Sequence, residues 1–441
     1  MADIHPFPAI RYAQASGADI SALTAPPYDV IDAQGRAALL SRDPHNVVAL
    51  ELPEGALDAS DPQGRYSVGQ QRWLEWRETG VLATDERPTI YVVEQAYEHE
   101  GRMVRRRAFV AAVTLDPFSA GVVLPHERTL PKAIADRLEM TRSTVANLSQ
   151  VFGMFADRSG ATDAHFELAM STQPLATATD DDGVRSTLWA LRDPEATASL
   201  RAYLAHERIF IADGHHRYTT ALAYRDERRA SQPALPVAPS SPESRAEPPA
   251  YDSVMMALVN MDDPDLIVFP THRVADAIGG FDPDAFRAAL ASHFDVATAP
   301  TSDPIGALAA AGLRGPAFLT RTHDGVTSLV TLRGDVDHTT AFPARASEAW
   351  RSLDVAVLQE LILDPLLGIH PDRPETLERL SFVKDATSAL AMAGDHDVAF
   401  ILNATRMDQL AHVAGGGETM PQKSTYFYPK LLSGLLFKSL E

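Results

Sequence analysis

Residues 208–225 read RIFIADGHHRYTTALAYR, and this stretch constrains the fold more than any other in the chain. After Arg208, IFIA is a short unbroken apolar run, the pattern of a strand buried on both faces. Gly214 follows as a turn residue, and a helix is expected over 218–229. A buried strand running into a helix belongs to a sheet covered by helices. The expected class is therefore α/β or α+β, with two lobes and mixed sheets. The same turn is a place for chemistry. The first amides of a helix carry partial positive charge and favour an anion. Arg217 adds a guanidinium fork for a phosphate or carboxylate. Asp213 ends the strand, where catalytic and metal-binding carboxylates often sit. His215 and His216 can donate to an anion or shuttle a proton. A plainer reading has Asp213 capping the helix and the histidines exposed in the turn. Finding all of them in one strand–turn–helix favours a site.

The rest of the chain alternates similar pieces. Residues 89–95 (TIYVVEQ) and 107–115 (RAFVAAVTL) read as adjacent strands, with the turn near Glu100 and Gly101. Residues 70–77, 132–152 and 187–205 read as helices. Beyond 250, strands are expected over 253–261, 266–270, 316–320, 326–332 and 398–402. Helices are expected over 283–292, 354–367 and 405–414. Residues 231–250, SQPALPVAPSSPESRAEPPA, lack apolar periodicity and read as a flexible loop or linker. A lesser break falls near 176–186. The expected domains are an N-terminal α/β lobe over 1–230, the linker 231–250, and a C-terminal α+β lobe over 251–441.

Other constellations carry reactive side chains. PHERTLPKAIADRLEMTR (125–142) holds His126, Glu127, Arg128, Lys132, Asp136, Arg137, Glu139 and Arg142. Helical ion pairs account for 136–142, but not for the loop-borne His126, Glu127 and Arg128. ETMPQKSTYFYPKLLSG (418–434) carries Lys423 and Lys430 beside Ser424, Thr425, Tyr426 and Tyr428. Lysine with neighbouring hydroxyls suits a phosphate; a docked tail is the structural alternative. APPYDV (25–30) fixes Tyr28 and Asp29 in a rigid turn that either braces the fold or lines a pocket. THR (271–273), after an expected strand, is a minor candidate.

Composition excludes several classes. Lys and Arg total 39 against 59 acids, a net charge of −20, which argues against a nucleic-acid binder. The chain has no cysteine, so disulfides, thiolate metal sites and cysteine nucleophiles are excluded. The opening MADIHPFPAI does not read as a secretory signal, and no apolar run reaches membrane-spanning length. A cytoplasmic location without membrane contact is the expectation. Only five lysines occur, at 132, 384, 423, 430 and 438. The P-loop pattern GxxxxGK[ST] is absent, as are GxGxxG, GxSxG and HExxH.

PFPAIRY, APPYDV, PHERT, ADGHHRYTTAL, PTHRV and MPQKSTYFYPKL occur in this order. In this the chain closely resembles a widespread bacterial and archaeal family of unknown function, over nearly its whole length. DGHHRYTTA (213–221) also resembles, more distantly, the phosphate-binding box of the ParB/sulfiredoxin superfamily. Gly214 and Arg217 match its glycine and arginine; Thr220 stands where the box usually has alanine. Members bind CTP, ATP or ADP at that helix start, and they include free-serine kinases. No counterpart of ParB's DNA-binding part is evident, and sulfiredoxin's catalytic cysteine cannot exist here. The resemblance thus implies ATP or ADP with Mg²⁺ as cofactor and a small-molecule kinase, with serine one acceptor. In that reading Gly214, Arg217, Arg128, Arg137, Lys423, Ser424 and Tyr426 bind phosphate. Asp213, His215, His216, His126 and Glu127 supply catalysis. No dedicated metal site is expected, though Asp213 or Glu127 would hold Mg²⁺. The alternatives are a phosphate-ester hydrolase and a nucleotide-binding switch without an acceptor.

Overall fold

The structure, a computed structural model, describes residues 2–14, 16–55, 64–129, 131–231 and 248–441. The chain divides into two compact units. The first comprises Met1–Pro125, Thr129–Leu266 and Pro429–Glu441; the second comprises His126–Arg128 and Ile267–Tyr428.

The first unit is built on a ten-stranded mixed sheet. Its main path runs Ala18–Asp19, Ala176–Thr179, Arg185–Leu191, Ile90–His99, Arg102–Thr114, Ser253–Asn260, Val151–Phe155, Ile209–Asp213 and Val123–Leu124; Ile4–His5 pairs with Arg102–Thr114. Ser253–Asn260 runs parallel to Val151–Phe155, and Ile209–Asp213 parallel to Val123–Leu124; most other pairs are antiparallel. The helices Asp163–Met170, Pro194–Leu204 and His215–Ser231 cover one face. Phe166, Leu200, Leu204 and Tyr218 bury there against Phe109, Ile211 and Leu258. Gly153 permits this packing. A Cβ at that position would lie 2.5 Å from the Met256 sulfur.

The second unit carries a six-stranded antiparallel sheet in the order Phe294–Thr298, Thr327–Leu332, Ala317–Thr322, Val398–Leu402, His272–Ala275 and Leu380–Val383. Helices Pro304–Gly312 and Ala386–Met392 bury Leu308, Ala311 and Ala389 against its Leu319 and Ile401. The expected mixture of helices and mixed sheets in two bodies is what the structure has.

Several local expectations need correction. Residues 187–205 are not one helix. Arg185–Leu191 is a strand fully paired with Ile90–His99, and the helix is Pro194–Leu204. The break near 176–186 is the hairpin joining Ala176–Thr179 to Arg185–Leu191, closed by Gly183. The helix expected over 132–152 stops at Thr144, where Val145 takes φ +50 and turns the chain into the Ala146–Asn147 strand. Ser253–Asn260, read as the start of a C-terminal lobe, is central in the first unit's sheet. The seven residues 253–259 bury between neighbouring strands, which supply the pairing that sequence position does not reveal. Most of the expected linker, 232–247, lies outside the described residues.

Candidate functional site

The Ile209–Asp213 strand leads straight into the His215–Ser231 helix, so the helix begins earlier than the sequence implied. Gly214 makes the turn at φ +87, a conformation that side-chain-bearing residues rarely adopt. A Cβ there would also meet the Arg217 Nε at 2.9 Å. Glycine is thus required by the turn, and a side chain there would also push the Arg217 guanidinium aside.

Asp213 is the centre of the arrangement. Lys430 Nζ donates to its Oδ1 at 2.9 Å, and Arg217 Nη2 donates to its Oδ2 at 2.8 Å. Burial alone would raise this carboxyl, but Lys430, then Arg217, hold it far below the usual carboxylate range. One partly buried carboxylate therefore faces two cations. Arg217 also donates to the Gln150 carbonyl, which fixes its fork.

Lys430 is brought there by a stapled backbone. Gln95 Nε2 donates to the Lys430 carbonyl at 2.9 Å, and Gln150 Nε2 to the Leu432 carbonyl at 3.0 Å. Arg106 donates to the Pro429 carbonyl and to Gln95 Oε1. Arg106 is 1% exposed and lies 4.7 Å over the Phe152 ring. Burial pulls its guanidinium down to about 10, and its Nε and Nη1 have no hydrogen-bond partner among the described residues.

Beside Arg217 a small cavity of about 40 Å³ is lined by Tyr28, Glu51, Arg137, Ser149 and Thr220. It has room for a few waters, where a whole-ligand site typically needs at least about 300 Å³. The Arg137 guanidinium lies 4.1 Å over the Tyr28 ring and donates to the Glu51 carbonyl at 3.1 Å. Burial raises the Tyr28 hydroxyl, against the lowering pull of Arg217 and Arg137. Glu51 is 3% exposed, and its Oε2 is 3.4 Å from Arg137 Nη1. Thr220 Oγ1 is buried without a hydrogen-bond partner among the described residues. The left-handed Val145 directs the chain into Ala146–Ser149, which forms one wall. Strained residues of this kind collect at functional sites.

Of the residues singled out from sequence, Asp213, Gly214, Arg217 and Arg137 share this region, with His215 and His216 opening the helix. His215 is buried. Tyr28, ranked low in the sequence, lines the cavity, and Lys430 rather than Lys423 meets Asp213. Glu51 and Arg106 were missed. Glu51 lies in NVVALEL, where an acid inside an apolar run was the available signal.

His126, Glu127, Arg128, Lys423, Ser424 and Tyr426 belong to the second unit. There they are engaged largely with one another and with the backbone. His126 Nε2 lies 2.9 Å from Thr425 Oγ1. Ser424 Oγ donates to the Pro421 carbonyl, and the Ser424 carbonyl accepts from Thr405 at 2.8 Å. Lys423 takes φ +56, and its carbonyl accepts from Arg273 Nη2 at 3.0 Å. Arg273 is buried, which pulls it down to about 10, while Glu127 acts in the opposite direction. Arg128 is exposed, 3.8 Å from Asp372. Among the described residues no group of three or more His, Asp or Glu is set to hold a metal ion. Both Asp213 oxygens already face cations. No described helix is long and apolar enough to cross a membrane.

The fold and the site motifs define a two-unit α/β protein with a partly buried charge centre at a helix start. The chain belongs to the family described as Protein of unknown function (DUF1015), whose model matches residues 4–356. No curated protein matches it in sequence. Solved structures similar to it include a free serine kinase in complex with AMP, at 12% identity and TM-score 0.33, covering 69% of this chain and 83% of that one. Another is a conserved hypothetical protein from Pyrococcus furiosus, at 13% identity and TM-score 0.32, covering 70% and 89%. SbnI with C-terminal truncation from Staphylococcus aureus has 10% identity and TM-score 0.34, covering 74% and 86%. Likeness at this level says nothing of activity.

Proposed function

We propose that the chain is a phosphoryl-transfer enzyme. In this reading its first unit binds the terminal phosphate of a nucleotide beside Arg217. It passes the phosphoryl group to a small hydroxylated acceptor, serine being the first to test. One observation carries the reading: a single partly buried carboxylate, Asp213, orients two cations at the start of a long helix. Phosphoryl transfer is mostly positioning and charge neutralisation, and groups fixed beforehand need no reorganisation. Lys430 and Arg217 flank Asp213 with two positive charges to its one negative charge, and Thr220 offers a hydroxyl. The cavity suits the reacting group, so the base and ribose lie outside it. Glu51 is the buried carboxylate placed to take the acceptor's proton. His215 and His216 stand at the helix start as donors to the phosphate. Mg²⁺ arrives with the nucleotide's phosphates, as is usual for such ions; Asp213 is not assigned to hold it.

The test combines binding and products. ATP, ADP, CTP and GTP are screened by thermal shift on the wild type and Arg217→Ala. A nucleotide at a hundred times its dissociation constant should stabilise the wild type by about 2.7 kcal/mol, and Arg217→Ala should lose this. With ATP and serine, labelled phosphate should appear in an acceptor product, and Glu51→Gln should slow this at least about a hundredfold. Free phosphate without acceptor product would instead mark a hydrolase, and binding without turnover a switch. No shift from any nucleotide would end the reading.

A further inference from the structure

The APPYDV turn has no part in the reading above, yet it is built into the same site. Ala25 and Ser433 exchange both backbone bonds: the Ala25 amide donates to the Ser433 carbonyl at 3.2 Å, and the Ser433 amide to the Ala25 carbonyl at 2.8 Å. This ties the turn to the C-terminal segment that carries Lys430. Pro27, at φ −56, leads into the short Tyr28–Val30 turn, closed by the Val30 amide on the Pro27 carbonyl at 3.1 Å. A proline ring holds φ near this value in any context, so the path into Tyr28 is preset.

The Tyr28 ring is held as well as its backbone. The Arg137 guanidinium lies 4.1 Å over it. Arg137 is fixed in turn, its Nε donating to Asp136 at 2.9 Å and its Nη1 to the Glu51 carbonyl at 3.1 Å. Its charge is balanced by Asp136 and Glu51. Tyr28 lines the cavity beside Arg217. Its hydroxyl has no hydrogen-bond partner among the described residues; Arg217, Arg137, Asp29 and Glu51 act on it through their charges. Burial raises the hydroxyl, so near pH 7 it keeps its proton and is a neutral donor. Thr220 Oγ1, on the same cavity, is a second hydroxyl without a partner among the described residues. Phosphoryl oxygens only accept hydrogen bonds. Arg217, Thr220 and Tyr28 offer them donors, while Glu51 offers the carboxylate that an incoming hydroxyl needs. The two kinds of group on this cavity thus match the two reactants.

We infer that Tyr28 is a further catalytic residue, its hydroxyl donating a hydrogen bond to an oxygen of the phosphoryl group in transit. In that step the acceptor's oxygen forms the new bond to phosphorus and gives its proton to Glu51. The bond from phosphorus to the nucleotide's bridging oxygen breaks, and its electron pair leaves on the nucleotide. Tyr28 keeps its proton throughout. This inference rests on the phosphoryl-transfer reading.

Tyr28→Phe keeps the ring over Arg137 and removes only the oxygen. ATP and ADP, each labelled at the terminal phosphate, are supplied with serine to the wild type and to this variant. In Tyr28→Phe kcat should fall about a hundredfold, as on losing one donor to a transition state. ADP affinity by calorimetry should stay within about twofold, and urea unfolding should not change, because ground-state binding and packing keep their contacts. A wild type that forms no labelled acceptor product would end the phosphoryl-transfer reading and this inference with it. A wild type that turns over, with Tyr28→Phe equal to it, would overturn the assignment of Tyr28 alone. So would a Tyr28→Phe variant whose ADP affinity falls as far as its kcat, the mark of a ground-state contact.

Discussion

The Asp213 centre of the first unit and the His126–Lys423 region of the second are built from the same residue types. In sequence they look equally rich. They differ in what their side chains face. Asp213 brings Lys430 and Arg217 together at 2.9 and 2.8 Å, beside a cavity for a few waters where a threonine hydroxyl has no partner among the described residues. In the second region, by contrast, His126 meets Thr425, Ser424 caps a carbonyl, and Arg273 ties down the Lys423 backbone. A density of polar residues marks a place of dense hydrogen bonding. Only burial and direction separate a charge centre from a brace.

This contrast can be broken experimentally. The largest effect is expected from Asp213→Ala, which leaves two partly buried cations facing each other without their carboxylate. It should cost the first unit about 3–5 kcal/mol, read from its urea unfolding transition. His126→Ala should cost about 1–3 kcal/mol through the lost buried bond to Thr425. It should leave nucleotide affinity unchanged by calorimetry; a changed affinity would merge the two regions functionally.

Lys430 and Lys438 sharpen the comparison within one unit. Lys430 has a carboxylate; Lys438 is buried against the carbonyls of Ala250 and Ser253, and burial pulls it down to about 7. Its folded pKa lies below the ordinary 10.5, so between about 7 and 10.5 the unfolded chain holds more protons. Stability from this group therefore rises with pH through that window. Relative to Lys438→Met, the wild type should gain up to about 1.4 kcal/mol per pH unit there, seen in paired melting curves. A constant difference would show that Lys438 does not titrate in this range. The smallest effect belongs to Arg128→Ala. Its exposed, loose pairing predicts a change within about 0.5 kcal/mol, measured the same way.

What the sequence revealed follows from how local the determinant is. The Ile90–His99 and Arg102–Thr114 hairpin and the strand before Gly214 carry their signals in adjacent residues. Arg185–Leu191 misled because RSTLWAL has no strict alternation and abuts a true helix; its identity comes from pairing with Ile90–His99. The choice of Lys430 over Lys423 was hidden for a similar reason. Both lie in one motif, but Gln95, Arg106 and Gln150 set the direction from hundreds of residues away. Tyr28 and Glu51 reach the cavity through turns whose geometry no local pattern states. The two halves of the site were legible as motifs, and their assembly was not.

The central claim is that Lys430 and Arg217, oriented by Asp213, form a phosphate site. Calorimetric titration of ADP into the wild type, Lys430→Met and Lys423→Met tests it most directly. The account predicts saturable binding that weakens at least about tenfold in Lys430→Met, as for a lost charge-assisted contact, and is unchanged in Lys423→Met. Equal affinity in the wild type and Lys430→Met would contradict it.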